Sequence, residues 1–201
     1  MKKFILGALT LLLTLNASAT VISIYESNSA LNSIAQSQAV INNAAAADTT
    51  LTSNNIFFSD SGHHGASAFQ GGHNSTFVLT ATGMIDTSLY SALKFFHDDG
   101  IDVSLGGNSL YTYNANTALR NSGWKTFADT GMTTFDLLFW ENGGAASILV
   151  YGQLRANQTS EVANFATIGS QSSVTVAVPE PTTLAILGLG LLGLVSRKVK
   201  K

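Results

Sequence analysis

The sequence predicts an all-β fold, an antiparallel β-sandwich, with a short helix before it and an apolar helix after it. Short runs of β-branched, aliphatic and aromatic residues recur through the middle of the chain. Clusters of Gly, Asn and Asp separate these runs at the spacing typical of sandwiches and barrels. The 201 residues are enough for one domain with a real core, and no repeat at solenoid or propeller periods is present.

The N-terminal segment has the three parts of a secretory signal peptide. Lys2 and Lys3 supply the positive charge, residues 4–15 form an apolar run, and Ala17-Ser18-Ala19 is a small-x-small cleavage site. The run is too short for a stable membrane-spanning helix. We therefore expect residues 1–19 to be removed on export, a reading that is favoured over a buried N-terminal helix.

Residues 20–48 are predicted to form a helix and a linker in front of the sandwich. Apolar and small side chains recur at helical spacing over 29–42, and Ser29 is the expected N-cap. The alternative is a flexible linker of low complexity, because the segment is rich in Ser, Asn, Gln and Ala.

The β-sandwich is predicted over residues 49–178. The candidate strands are 51–58, 76–82, 92–97, 102–105, 109–113, 125–127, 133–141, 146–154 and 173–178. Phe135, Leu137 and Phe139 give one strand an apolar face, and an Asn-Gly-Gly turn follows it. Residues 133–154 are therefore expected to form a long hairpin.

The C-terminal residues 179–201 form a distinct tail. Pro179, Glu180 and Pro181 precede an uncharged stretch over 182–196, and a basic cluster ends the chain. The stretch is just long enough for a transmembrane helix, and the basic end predicts that it stays on the cytoplasmic side.

Charge and composition exclude several classes of function. Six of the ten basic residues lie at the two chain ends, which leaves four basic against twelve acidic residues in between. A nucleic-acid binder needs a basic surface, so no nucleic-acid partner is expected. The absence of cysteine excludes disulfides, thiolate metal sites and thiol catalysis.

Asp98, Asp99 and Gly100 stand between two predicted strands and allow two interpretations. Asp and Gly are common in hairpin turns, so a simple turn is one. Two adjacent carboxylates repel each other, however, and a calcium ion, which binds carboxylate and amide oxygens, would relieve that repulsion. Both side chains would reach one ion only through an unusual backbone, such as a cis peptide bond.

The tail closely resembles the PEP-CTERM sorting signal, which consists of Pro-Glu-Pro, a short apolar helix and a basic end. The resemblance implies that an exosortase recognises and removes the tail after transient anchoring in the inner membrane. It also implies a Gram-negative host that makes exopolysaccharide, with the protein at the cell surface or in the extracellular matrix.

Two further segments resemble the protective-antigen-type domain, a jelly-roll-like β-sandwich of flocculins, adhesins and carbohydrate-active enzymes. They are FFHDDGIDVSLGG at 95–107 and TTFDLLFWENGGAA at 133–146. The resemblance implies that Asp98 and Asp99, joined by a cis peptide bond, hold calcium together with Asn142, and that the ion binds sugar hydroxyls. Trp140, next to this loop, is the aromatic residue expected to contact the sugar. An arginine that relatives carry before the later apolar run has no counterpart here, and the glycan-gripping loop of the adhesins has no alignable equivalent.

Histidines offer weaker alternatives. His63, His64 and His73 lie in a Gly- and Ser-rich stretch, but their spacing matches no established metal site. His97 could act as a base beside the acidic pair, yet no nucleophile elbow, phosphate loop or HExxH motif accompanies it.

These observations predict an exported, non-enzymatic surface or matrix protein that binds carbohydrate, expected to be exopolysaccharide, through calcium. The alternative is a structural matrix or biofilm protein without a small ligand. A hydrolase is the least favoured class.

Overall fold

The computed structural model describes residues 20–69, 73 and 75–157. Within these residues the chain forms one helix and eleven strands: β1 (Thr20–Glu26), α1 (Ile34–Asn43), β2 (Thr49–Ser53), β3 (Phe57–Ser59), β4 (Phe77–Asp86), β5 (Tyr90–Asp98), β6 (Gly100–Leu105), β7 (Asn108–Tyr113), β8 (Arg120–Asn121), β9 (Lys125–Thr126), β10 (Met132–Glu141) and β11 (Ser147–Leu154). Two 3₁₀ turns lie at His63–Gly65 and Arg155–Asn157.

The strands form two antiparallel sheets. Sheet A has the order β2-β1-β4-β10-β6-β7, and sheet B has the order β3-β11-β5-β8, with β9 also paired to β5. The predicted all-β class with two packed antiparallel sheets is thereby confirmed.

The core lies between the sheets because alternate residues of each strand point into it. Phe135, Leu137 and Phe139 of β10 are at most 2% exposed, as the alternation in the sequence predicts. On β5 and β11, Phe95 and Val150 are fully buried in the same cluster. At roughly 25 cal/mol per Å² of apolar surface, such aromatic and branched side chains provide the main favourable free energy of folding.

The predicted hairpin over 133–154 is wrong. β10 belongs to sheet A and β11 to sheet B, so residues 142–146 cross from one sheet to the other instead of joining two paired strands. The alternation of apolar residues shows which face of each strand is buried. It does not show which neighbour a strand pairs with, and that is why the prediction failed.

The N-terminal segment also differs from the prediction. Residues 20–26 form β1, which pairs with both β2 and β4, so the sandwich already includes the first described residues and a boundary at 49 would cut sheet A. The helix starts at Ile34, and Ser33 rather than Ser29 is its N-cap, accepting the N–H of Gln36. The segment 51–58 is divided into β2 and β3, which lie in different sheets.

The apolar side of α1 faces sheet A. Leu31, Val78 and Trp140 are buried together, with Ile34 and Ile41 packed against them. Because Val78 and Trp140 point away from the main core, the N-terminal segment covers a second, smaller hydrophobic cluster beside the end of β10.

Three predicted features lie outside the described residues: the signal peptide at 1–19, the strand at 173–178 and the transmembrane helix at 182–196. In the part of the chain that the structure describes, no helix has the length and apolar character needed to cross a membrane.

Candidate metal centre

Two connections between the sheets meet at one end of the sandwich. The chain passes from β5 to β6 through Asp99, and from β10 to β11 through residues 142–146. Asp98 pairs with Ser147 in sheet B, and Gly100 pairs with Trp140 in sheet A. Asp98–Gly100 therefore does not form the hairpin turn that was one interpretation of the sequence; it carries the chain between the two layers.

Gly100 permits a close approach that fixes this end of the fold. A Cβ atom at residue 100 would lie 2.0 Å from Cζ2 of Trp140, so only glycine leaves room for the indole ring. Trp140 is fully buried, and its Nε1 donates to Oδ1 of Asn116 over 3.1 Å. The indole thus holds the start of β6 and the loop after β7 in position.

Three carboxylates converge beside this contact. One carboxylate oxygen from each of Asp98, Asp99 and Glu141 lies within 4.8 Å of the other two. The peptide bond between Asp98 and Asp99 is cis, as the resemblance implies. Asp99 and Glu141 are 7% and 1% exposed, so the cluster is largely removed from water.

The carboxylate of Asp99 is held in place by two backbone groups. Thr117 N–H donates to its Oδ1 over 2.7 Å, and Asn142 N–H donates to its Oδ2 over 2.8 Å. Each carboxylate oxygen has a further lone pair, so both remain able to accept a cation. Asp99 therefore ties together the loops after β7 and β10 at the point where the carboxylates meet.

Glu141 is the unusual member of the cluster. Its Oε1 accepts the N–H of Gly143 over 2.9 Å, whereas its buried Oε2 has no hydrogen-bond partner among the described residues. The pKa of Glu141 is raised to about 8, mainly by burial and also by the charges of Asp99 and Asp98, while the hydrogen bond from Gly143 acts in the opposite direction. An unpaired oxygen in this position costs free energy unless a proton or a cation occupies it.

Asp98 shows a weaker form of the same effect. Burial and the charge of Asp99 raise its pKa to about 6, while the charge of His63 and a hydrogen bond from the backbone of Leu119 act in the opposite direction. Both pKa values are raised first by burial and then by the charges of the neighbouring carboxylates, a combination that is common at functional sites.

The residues present fit a hard divalent cation. Calcium binds several oxygen ligands, and the cluster offers three carboxylates of which one oxygen is buried and unpaired. Sulfur and nitrogen ligands, which zinc prefers, are absent from the cluster as the structure describes it.

Asn142 and Trp140 are placed differently from the expectation. Asn142 reaches the cluster through its backbone N–H, while its side-chain Oδ1 accepts the N–H of Leu31 over 2.6 Å. Glu141, which the sequence analysis did not select, supplies the third carboxylate. Trp140 is fully buried under the N-terminal segment, so the structure does not expose its ring for the expected sugar contact.

A signal for Glu141 is present in the sequence. It directly follows four apolar residues, Leu137–Trp140, at the end of a strand, and an Asn-Gly-Gly turn comes after it. A carboxylate at the end of a buried strand needs a partner, and this rule would have singled it out.

In the part of the chain that the structure describes, no histidine belongs to a group of three or more potential metal ligands. His97 is fully buried; its Nδ1–H donates to the carbonyl of Asp99, and its Nε2 accepts the hydroxyl of Tyr111 over 3.0 Å. Burial lowers the pKa of His97, so it is neutral and positions the backbone of Asp99. His73 pairs with Asp60, and His64 packs on Phe96.

Comparison with known proteins gives one sequence match and a set of similar folds. Residues 177–201 match the family described as the PEP-CTERM protein-sorting motif. A search of curated protein sequences gives no match.

The sandwich is similar to solved structures of PA14 domains. The PA14 domain of the MpAFP antifreeze protein is 22% identical with a TM-score of 0.55, covering 71% of this chain and 84% of that one. The PA14 sugar-binding domain from an RTX adhesin is 19% identical with a TM-score of 0.56, covering 69% and 91%. An anti-sigma factor domain-containing protein is 14% identical with a TM-score of 0.52, covering 76% and 47%. The chain thus carries a PEP-CTERM sorting motif C-terminal to a domain with the PA14 β-sandwich fold.

Proposed function

We propose that this protein is an exported, non-enzymatic surface or matrix protein that binds carbohydrate through a calcium ion held by Asp98, Asp99 and Glu141. The observation that carries the proposal is the buried, unpaired Oε2 of Glu141 beside two further carboxylates. A calcium ion would supply the missing partner and would keep coordination positions for the hydroxyls of a sugar.

Two other observations support the location and the ligand class. The sorting motif at 177–201 supports export and processing of the tail by an exosortase, at Pro179, Glu180 and Pro181. One structure with the same fold is described as a sugar-binding domain from an adhesin. A hydrolase is disfavoured because both ring nitrogens of His97, its candidate base, are engaged in hydrogen bonds.

Thermal unfolding of the full chain, purified in a sugar-free detergent, tests the metal site. A ligand that binds only the folded state at a hundredfold excess over its Kd stabilises it by about 2.7 kcal/mol, which moves the midpoint by several degrees. We expect this shift with millimolar calcium and its reversal by chelator.

Glu141→Gln is the decisive variant, and Asp136→Asn on the same strand is its control. Both replace a carboxyl group of β10 by the isosteric amide, but Asp136 is exposed and lies outside the cluster. The calcium shift should disappear in Glu141→Gln and persist in Asp136→Asn. An equal shift in both variants would place calcium elsewhere.

A glycan array with calcium and with chelator tests the ligand. Calcium-dependent binding of exopolysaccharide fragments, lost in Asp99→Asn, is the expected result. Calcium binding without any glycan binding would instead favour the alternative, a structural matrix protein in which the ion only holds the loops together.

A further inference from the structure

The sandwich has a second concave site at the end opposite the carboxylates. β6 runs from Gly100 beside the metal centre to Leu105, and the Gly106-Gly107 turn then leads into β7. A cavity of about 450 Å³ opens beside this turn, between β6, β7 and the segment that contains β9 and the residues before β10.

The lining combines an apolar floor with a polar rim. Leu105, Leu110 and Phe127 supply carbon surface, and each is buried or half-buried. The rim carries the hydroxyls of Thr126 and Thr133 and the carboxamide of Asn108. No side chain among the described lining residues carries a charge.

The polar groups of the rim are available to a ligand. Among the described residues, no hydrogen bond engages the hydroxyl of Thr126 or Thr133, or Oδ1 of Asn108, whose Nδ2 makes one long bond of 3.4 Å to Gly106. Thr87, by contrast, uses its hydroxyl on Gly131 and Thr130 and belongs to the wall. Apolar surface with a few convergent polar groups is the usual composition of a small-molecule site.

Hydrogen bonds from one side chain to backbone carbonyls hold the wall of the cavity in place without a ligand. The guanidinium of Arg155 donates to the carbonyls of Thr87, Tyr90 and Phe127. Thr87 and Phe127 both line the cavity, so this one side chain joins two of its sides. A preformed site loses less conformational freedom on binding than one that must be ordered.

We propose that this cavity is a second, metal-independent binding site for a small uncharged molecule with a carbon face and several hydroxyl or amide groups, such as one unit of a neutral sugar. The carbon face would lie on Leu105, Leu110 and Phe127, and the hydroxyls would bond to Asn108, Thr126 and Thr133. A carboxylate or phosphate finds no counter-charge in this lining and is excluded by the cost of desolvating it. The site does not depend on the proposed function of the carboxylate cluster.

Saturation-transfer NMR on the full chain in a sugar-free detergent, with chelator present throughout, tests the site. The probes are glucose, galactose, N-acetylglucosamine and glucuronate. We expect at least one neutral sugar to bind in chelator and glucuronate to bind more weakly than glucose. No binding by any of the three neutral sugars, or equal binding of glucuronate, would overturn the proposal.

Variants connect the signal to the cavity. Asn108→Ala with Thr133→Val should weaken the affinity for the neutral sugar by about tenfold, while Thr134→Val, an exposed neighbour on β10, should leave it unchanged. If the double variant unfolds, Thr126→Val on the exposed surface of β9 is tested instead. It should also lower the affinity for the neutral sugar. Unchanged affinity in a folded rim variant would contradict the assignment.

Discussion

The backbone N–H of Asn142 donates to Oδ2 of Asp99 over 2.8 Å. Through its side chain, the same residue accepts the N–H of Leu31 at the approach to α1. Asn116 makes a parallel link, because it accepts from Trp140 and donates to Oδ1 of Asn32. The carboxylate cluster and the docking of the N-terminal segment are therefore parts of one hydrogen-bond network.

Asn116→Ala should destabilise the protein by about 1–3 kcal/mol, because the fully buried Trp140 loses the acceptor of its indole N–H. Urea unfolding measures the change, and Asn54→Ala, an exposed loop residue, is the control. Equal midpoints for the two variants would show that the indole finds another acceptor.

Gly100→Ala should destabilise by about 1–3 kcal/mol or more, because the added methyl group meets the ring of Trp140. Gly107→Ala is the comparison: its Cβ would meet nothing within 4 Å, so only its φ of 77° opposes the change. That conformational cost is about 1–2 kcal/mol. The unfolding midpoints should rank wild type, Gly107→Ala and Gly100→Ala; the reverse order of the two variants would contradict the close contact.

The pH dependence of the free energy of unfolding should follow the ionisation of Glu141. Its pKa is about 8 in the folded state against an ordinary value of 4.5. The folded state then binds more protons than the unfolded state between these pH values, so without metal the free energy of unfolding should fall as pH rises from about 4.5 to about 8. Glu141→Gln should flatten this profile, and a wild-type profile that rises over the same range would disprove the assignment.

Calcium should reverse that trend. The ion must displace the protons that the raised pKa values of Glu141 and Asp98 hold, so its affinity increases with pH. The calcium-induced rise in unfolding midpoint should be larger at pH 8 than at pH 6. Isothermal titration at both pH values measures the protons released, and release that does not change with pH would exclude these two groups.

Arg155→Ala should destabilise by about 1–3 kcal/mol, since the carbonyls of Thr87, Tyr90 and Phe127 lose a charged donor. Arg120→Ala removes the same charge from an exposed position, where the guanidinium lies 4.4 Å from the ring of Tyr113. Arg120→Ala should therefore lower the free energy of unfolding by less than Arg155→Ala does. Similar losses in both would mean that water replaces Arg155 at little cost.

The strands with regular alternation were predictable, as β10 shows, because its apolar face depends only on local order in the sequence. The partner of each strand was not predictable. β10 and β11 are neighbours in sequence and belong to different sheets. β1 was missed because Thr20–Glu26 follows a predicted cleavage site and has no turn cluster before it.

For the candidate site too, the features that depend on local sequence were predictable and those that depend on strand pairing were not. Asp98 and Asp99 stand out because adjacent carboxylates are unfavourable without a partner. Glu141 becomes a neighbour of theirs only because β10 pairs with β6, and that pairing is a long-range contact. Asn142 was expected to bind through its side chain, whereas packing of the N-terminal segment turns that oxygen toward Leu31.

β11 also has a mechanical consequence. It begins at Ser147 opposite Asp98 and ends at Leu154 opposite Tyr90, about 24 Å away, and the chain then continues toward the sorting motif. A pull between a ligand held at the carboxylates, as proposed above, and Leu154 would act along this strand. The hydrogen bonds to β3 and β5 lie across the strand, so they would share the load in shear instead of opening one after another. Under the proposed function, a load applied between the carboxylates and Leu154 would therefore be borne in shear by the strands of sheet B.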